Sequence, residues 1–203
     1  MSNLTPHFWQ ERFDTGETGW DRGVPSPQLL RWLDSGELTP CHIAVPGCGK
    51  GWEVVELARR GFDVTGLDYT EAAVREAQNN LQRADVSARI IKTDVLTYKP
   101  DQVFDAIYEQ TCLCAIDPEH WIDYAGQLAR WIKPGGNLYT LFMQVDRPGA
   151  KEGIKQGPPF HCDINAMHAL FNSKNWQWPD HLPSSIPHPN GWHELAIRLT
   201  RKN

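Results

Sequence analysis

Between residues 41 and 143, short apolar runs alternate with stretches whose apolar residues recur at helical spacing. His42-Ile43-Ala44-Val45 predicts a first strand, and residues 51–60 predict a helix ended by Gly61 just past its last turn. Residues 62–67 predict a second strand. Thr70 then caps a helix running to Ala84, with Glu71 in its first turn and Ala73, Val74 and Ala77 on its apolar face. Residues 89–92 and 104–108 predict the third and fourth strands. Asp117-Pro118 opens a helix with Trp121, Ile122, Ala125, Leu128 and Ile132 along one face, stopped by Pro134-Gly135-Gly136. Residues 138–143, nearly continuous in apolar side chains, predict a fifth strand covered on both faces. Such alternation marks an α/β fold around a mostly parallel sheet.

The flanks break this rhythm. Ahead of the first strand, Phe8-Trp9-Gln10-Glu11-Arg12-Phe13 and Gly19-Trp20-Asp21 precede a helix capped by Ser26-Pro27 and carrying Leu29, Leu30, Trp32 and Leu33. After the fifth strand, residues 144–160 form a long loop rich in Gly, Pro and Lys, and loops of that length are usually functional or mobile. A last helix is expected at 163–171, and Leu195-Ala196-Ile197-Arg198-Leu199 alternates like a half-exposed strand, antiparallel and at or near the sheet edge. The length of 203 residues suits one domain, 1–203, with 1–40 as a segment ahead of the sheet.

Composition narrows the class. With 40% apolar and 22% charged residues the chain is globular, and the excess of 25 acidic over 20 basic side chains, net −5, argues against nucleic acid as a partner. No apolar run reaches the roughly 20 residues of a membrane span, and the start, Met1-Ser2-Asn3-Leu4-Thr5-Pro6, lacks the basic and apolar regions of an export signal. Five cysteines without a Cys-x-x-Cys pair fit reduced thiols, and neither Cys112-x-Cys114 nor His161-Cys162 has zinc-ligand spacing, so no metal is expected. The expectation is a cytoplasmic monomer acting on a small molecule. Nine tryptophans stand out, several of them ahead of the sheet.

Chemistry begins at Val45-Pro46-Gly47-Cys48-Gly49-Lys50-Gly51, where glycines let the backbone approach a ligand at the start of a helix. Asp68 ends the second strand 21 residues after Gly47, close to the roughly 20 at which an acidic side chain meets ribose hydroxyls in doubly wound folds. Asp94 follows the third strand, so all three features fall at strand C-terminal ends. The spacing Gly47-x-Gly49-x-Gly51 is not the dehydrogenase fingerprint, and Lys50 lacks the Ser or Thr of a phosphate-binding loop. S-adenosylmethionine remains: an adenosine for the carboxylates, an amino-acid tail for the turn, and a sulfonium cation.

These residues together resemble the class I S-adenosylmethionine-dependent methyltransferases and, more narrowly, the thiopurine S-methyltransferase superfamily near its thiol, thiocyanate and halide branch. The specific part is Phe8 through Phe13 with Gly19-Trp20-Asp21-Arg22-Gly23, Pro27 and Leu30, joined to Val45-Pro46-Gly47-Cys48-Gly49 and Gly66-Leu67-Asp68. The resemblance implies a Rossmann-like seven-stranded sheet, mostly parallel with an antiparallel C-terminal strand and helices on both faces. It implies that residues 1–40 cover the cofactor through Trp9, Phe13 and Trp20, and that Gly47 with Gly49 holds the methionine moiety. It further implies that Asp68 binds the ribose, that Asp94 and Val95 flank the adenine, and that Glu109-Gln110-Thr111, just beyond the fourth strand, lies between cofactor and acceptor. Gly157-Pro158-Pro159-Phe160 resembles the loop over the acceptor pocket, making 144–160 the expected active-site loop. The product is S-adenosylhomocysteine.

Methyl transfer from a sulfonium asks the protein to align donor and acceptor and exclude water, with a general base optional. Glu109 is the candidate base and also a candidate cofactor contact; a capping carboxylate is its other reading. Arg147, Lys151 and Lys155 make the loop basic, which reads as attraction for an anionic acceptor or as a solvated mobile loop. The favoured reaction is S-methylation of a small thiol or other soft nucleophile, a thiopurine, sulfide, thiocyanate or halide included. A nitrogen or oxygen acceptor and a non-catalytic cofactor-binding module stand as alternatives.

Overall fold

The alternation of apolar runs folds as strands joined by capped helices. A computed structural model describes residues 4–152 and 154–203; Met1, Ser2, Asn3 and Gly153, and the side chain of Lys151, lie outside the described residues. Two compact units divide the chain, Met1–Tyr98 and Lys99–Asn203. Eight strands occur among the described residues, one more than expected.

In the first unit, helix α1 (Pro6–Thr15) is capped by Thr5, and α2 (Pro27–Asp34) by Ser26 with proline at the first helical position, as the Ser-Pro pair predicts. Strand β1 (His42–Pro46) leads through the glycine turn into α3 (Trp52–Arg59), β2 (Asp63–Asp68), α4 (Glu71–Ala84) and β3 (Arg89–Lys92). The strands lie in the order β3-β2-β1 and pair in parallel, with Ile43 opposite Val64 and Gly66 opposite Ile90. Leu29, Ile43, Val54, Leu57, Leu67 and Ala73 are fully or almost fully buried and form the core of this unit. Helix α1 is different: it buries no residue, although it packs against α4.

The second unit begins with β4 (Phe104–Gln110), followed by α5 (Trp121–Trp131) and β5 (Ile132–Gln144), which pairs in parallel with β4. Strand β4 therefore runs two residues further than its apolar pattern predicts, and Glu109 and Gln110 are its last residues rather than the start of a loop. Asp117 caps a 3-10 turn, Pro118–His120, and α5 starts only after it. The buried stripe of α5 runs through Tyr124, Leu128 and Trp131 at i, i+4 and i+7. Tyr124, Ala125, Gln127, Leu128 and Trp131 face inward, whereas Ile122, expected on the buried face, is 78% exposed.

Helix α6 (Ile164–Leu170), capped by Asp163, is followed by two strands the sequence did not suggest, β6 (Trp176–Gln177) and β7 (Ser184–Pro187). Both pair antiparallel with β8 (His193–Arg201), which itself pairs antiparallel with β5. β8 thus lies one strand in from the edge, near it as expected, with β5 on one side and the short β6 and β7 on the other. The long loop is short of structure apart from one 3-10 turn, Ala150–Glu152. No helix among the described residues is long and apolar enough to cross a membrane.

Candidate functional site

In the first unit the site is built on the turn between β1 and α3. Gly47, Gly49 and Gly51 all adopt left-handed φ values, and the turn is closed by hydrogen bonds from Cys48 N to Leu67 O and from Gly51 N to Cys48 O. The glycines serve different ends. A Cβ added to Gly51 would lie 2.9 Å from the Cβ of Ala77, so this glycine allows α3 to start hard against α4. A Cβ on Gly49 would meet only the tip of the Phe13 ring, at 4.0 Å, so the space above this part of the turn is bounded by an aromatic edge.

Asp68, at the C-terminal end of β2, is the buried centre of this arrangement. Its Oδ2 accepts from Gly49 N at 3.1 Å, and its Oδ1 accepts from the Thr70 amide and hydroxyl at 3.0 and 2.9 Å. Burial pushes its pKa up, with the hydrogen bonds from Thr70, Gly49 and Tyr69 pulling against it. One carboxylate thereby joins the glycine turn to the capped start of α4. Thr93 N donates to Asp68 O, which draws the end of β3 alongside, and there Asp94 and Val95 form a turn. Asp94 is exposed; its Oδ1 accepts from Leu96 N at 2.8 Å, so in this structure it shapes its own turn.

Trp9 and Phe13, one helical turn apart on α1, both meet Trp20 edge to face, with centroid separations of 5.3 and 5.8 Å. All three rings are half-buried. The structure therefore brings together the aromatic trio, the glycine turn and Asp68, which the sequence holds far apart. It also shows residues that pattern reading did not assign. Asp21 Oδ1 accepts from Trp52 Nε1 and Gly23 N, both at 2.8 Å, and its Oδ2 pairs with Lys50 Nζ at 2.6 Å. Burial opposes ionisation of Asp21, but hydrogen bonds from Lys50, Gly23 and Trp52 outweigh it and hold the carboxyl below its usual range. Gln10 Oε1 accepts from Ala72 N, Ser26 N donates to Glu53 Oε1, and Asn80 Nδ2 donates to Lys50 O. No local signal pairs Asp21 with Lys50 and Trp52, or Gln10 with Ala72, because the partners lie far apart in sequence.

The residues present fit S-adenosylmethionine. A glycine-rich turn, a buried carboxylate at a strand C-terminus and an aromatic cluster whose Phe13 ring reaches Gly49 are suited to an amino-acid tail, a ribose and a sulfonium cation.

In the second unit, Glu109 is buried at the end of β4. Oε1 accepts from Leu113 N at 2.7 Å and Oε2 from the Thr140 hydroxyl at 2.9 Å, across the β4–β5 pairing. Burial raises its pKa to about 7 against hydrogen bonds from Leu113, Thr140 and Cys112. Thr111, just beyond, holds φ of +59°, an unusual value for a β-branched residue at a site of this kind. Tyr108 and Gln110 point to the other face of the strand. The Tyr108 hydroxyl donates to Gln110 Oε1 at 2.7 Å, and Gln110 Nε2 donates to both oxygens of fully buried Glu194, at 3.1 and 2.9 Å. Burial pushes the Cys114 and Cys162 thiols up, which keeps both protonated at neutral pH.

The loop 144–160 is fastened by its own cations. Arg147 donates to the carbonyls of Gln156, Pro158 and Pro159 and lies over the Trp192 ring at 4.6 Å. Lys155 pairs with buried Asp117 at 2.7 Å and with Glu119 at 3.0 Å.

A family model described as thiopurine S-methyltransferase matches residues 4–195. Thiocyanate methyltransferase 1 of Arabidopsis thaliana is 31% identical, covering 80% of this chain and 70% of its own. A thiopurine S-methyltransferase of Gluconobacter oxydans is 30% identical, covering 77% of this chain and 76% of its own. Among solved structures, a magnesium protoporphyrin IX methyltransferase of Synechocystis with S-adenosylhomocysteine bound superposes with a TM-score of 0.75 at 16% identity. It covers 97% of this chain and 99% of its own, a likeness of fold.

Proposed function

The chain belongs to the thiopurine S-methyltransferase family and is an S-adenosylmethionine-dependent methyltransferase; from that premise we propose that it S-methylates a small thiol or another soft nucleophile. The observation that carries the choice of acceptor is the commitment of Glu109. Both of its oxygens accept hydrogen bonds from the protein, one from a backbone amide and one from a hydroxyl, so it holds the 111–116 turn instead of removing a proton from an acceptor. An amine or alcohol needs such a base more than a sulfur nucleophile does. A thiol with a pKa of about 8.5 supplies thiolate at neutral pH, and thiocyanate or a halide needs no deprotonation. The named relatives, which methylate thiocyanate and thiopurines by their names, support a sulfur acceptor.

Trp9, Phe13 and Trp20 are read as the cover of the cofactor, Gly47 and Gly49 as its methionine-side turn, Asp68 as its ribose ligand, and Asp94 with Val95 as its adenine side. Bound there, S-adenosylmethionine supplies an electrophilic methyl group on a sulfonium cation. The protein's part is placement: ring faces attract the cation by roughly 0.5 to 2 kcal/mol, Asp68 orients the ribose while bracing the glycine turn, and closed aromatic packing excludes water. We read the whole chain as one methyltransferase domain, supported by fold neighbours that span nearly all of it. A cytoplasmic monomer without nucleic-acid partners accords with the net charge of −5 and with five cysteines that form no disulfide.

The test is a panel assay with labelled S-adenosylmethionine against aromatic thiols, thiopurines, hydrogen sulfide, thiocyanate and iodide. Turnover on a sulfur or halide acceptor is expected. Ordinary S-adenosylhomocysteine binding with no turnover on any of them would return the non-catalytic module, and turnover only on amines or alcohols would overturn the acceptor class.

A further inference from the structure

We infer that Gln10 is a positioning residue: its side-chain carbonyl latches α1 to the first turn of α4, and this latch sets how fast the cofactor and its product exchange. The inference rests on the reading of Trp9, Phe13 and Trp20 as cofactor cover. Helix α1 buries none of its ten residues fully, and its apolar hold comes from half-buried rings such as Trp9 and Phe13. Gln10 Oε1 accepts from Ala72 N at 3.0 Å across 62 residues of sequence.

Ala72 is the second residue of α4, and the amides of a first helical turn have no carbonyl partner inside the helix. Thr70 Oγ1 takes the Ala73 amide, so Gln10 supplies from a distant segment the acceptor that Ala72 lacks within its own helix. The orientation of the amide is set as well. Gln10 Nε2 donates to both oxygens of Asp14 one turn further on, at 3.0 and 3.1 Å, which leaves Oε1 facing α4.

Gln10 and Asp14 form one stripe of α1, and Trp9 and Phe13 the adjacent stripe. Holding the first against α4 fixes the second against Trp20 and above Gly49. The far end of the same segment is tied by Asp21, a charged group with three partners, Lys50, Trp52 and Gly23. The segment therefore has a firm, charged end at Asp21 and a weak, neutral end at Gln10, where the hydrogen bond to Ala72 adds to the contacts of half-buried rings. Exchange of a ligand lying under the rings proceeds by release of the weak end.

The experiment is stopped-flow tryptophan fluorescence of S-adenosylhomocysteine binding to wild type, Gln10→Ala and the double variant Gln10→Glu with Asp14→Asn, with hydrogen exchange at the Ala72 amide of the free proteins. Gln10→Ala should raise the dissociation rate by about tenfold, the scale of one lost neutral hydrogen bond, leave the association rate equal or faster, and speed Ala72 exchange by a similar factor. Gln10→Glu combined with Asp14→Asn keeps the acceptor at position 10, replaces the facing carboxylate by an amide that can donate to it, and adds a negative charge favourable at a helix N-terminus, so it should restore both readouts. A merely structural role would alter melting without this kinetic split or rescue. If wild type binds S-adenosylhomocysteine but Gln10→Ala changes neither dissociation nor Ala72 exchange, the latch is overturned; failure of wild type to bind at all would overturn the cofactor reading beneath it.

Discussion

At Asp68 the two carboxylate oxygens are divided between two backbone segments, Oδ2 holding Gly49 and Oδ1 holding Thr70. Removing the side chain takes the acceptor from the half-buried Gly49 amide and the buried Thr70 amide and, on the proposed reading, removes the ribose ligand as well. Asp68→Ala is expected to weaken S-adenosylhomocysteine binding by about 10- to 100-fold, the scale of a lost charge-assisted hydrogen bond; an affinity within twofold of wild type in a fluorescence titration would contradict the assignment. Glu109 makes a prediction about pH. Its pKa in the folded protein, about 7, lies above the ordinary 4.5, so the fold favours the protonated form. Its contribution to stability is present in full below about pH 4.5 and is lost as the pH rises through 7. Glu109→Gln is neutral throughout, so the variant should gain on wild type between those limits by up to about 3 kcal/mol, at 1.36 kcal/mol per unit. Urea unfolding of both proteins at pH 5 and pH 8 measures this, and a difference independent of pH would refute the raised pKa.

Among elements, the turn into α3 and the helix α1 carry contrasting risks. Gly51 combines a φ of +75° with a Cβ position 2.9 Å from Ala77, so Gly51→Ala must strain the backbone and push two helices apart. A loss of about 1–3 kcal/mol is expected from overpacking alone, and an unchanged urea midpoint would show that α3 and α4 can separate freely. Tryptophans separate by element in the same way. Trp178 stacks on His168 at 3.6 Å and its Nε1 donates to Phe171 O, so it fastens α6 and the segment after it. Trp20 packs with Trp9 and Phe13. Trp178→Ala should therefore lower the melting temperature and leave cofactor affinity near wild type, whereas Trp20→Ala should do the opposite. The reverse order in paired melting and binding measurements would contradict the aromatic cover.

Over the whole molecule, a ligand that binds only the folded chain stabilises it by mass action. At S-adenosylhomocysteine concentrations 100 times its dissociation constant, about 2.7 kcal/mol is expected, a rise in melting temperature of about 5–10 °C for a chain of this size. Scanning calorimetry at increasing ligand should show the midpoint climbing with concentration, and a fixed midpoint would mean that the native protein does not bind it.

Much of this molecule was legible from its sequence. Thr70 as cap, Gly61 after α3, Ser26-Pro27 opening α2 and the parallel strands from β1 to β5 follow from chemistry that acts over a few residues: side-chain periods of two or 3.6, orphan amides at helix starts, and prolines that cannot donate. The glycine turn, Asp68 and the aromatic signature were visible for the same reason. Other features were not. Ile122 took an exposed position because the buried stripe of α5 runs through Tyr124, Leu128 and Trp131 and leaves it outside; β6 has two residues, and β7, Ser184-Ser185-Ile186-Pro187, carries one buried apolar side chain and no alternation. Only the tertiary structure decided that Asp21 holds Lys50 and Trp52, that Gln10 caps α4 across 62 residues, and that Gln110 meets Glu194 across 84. A local pattern states which groups need partners. Which partner arrives depends on how distant elements pack, and hydrogen bonds formed there leave no period in the chain.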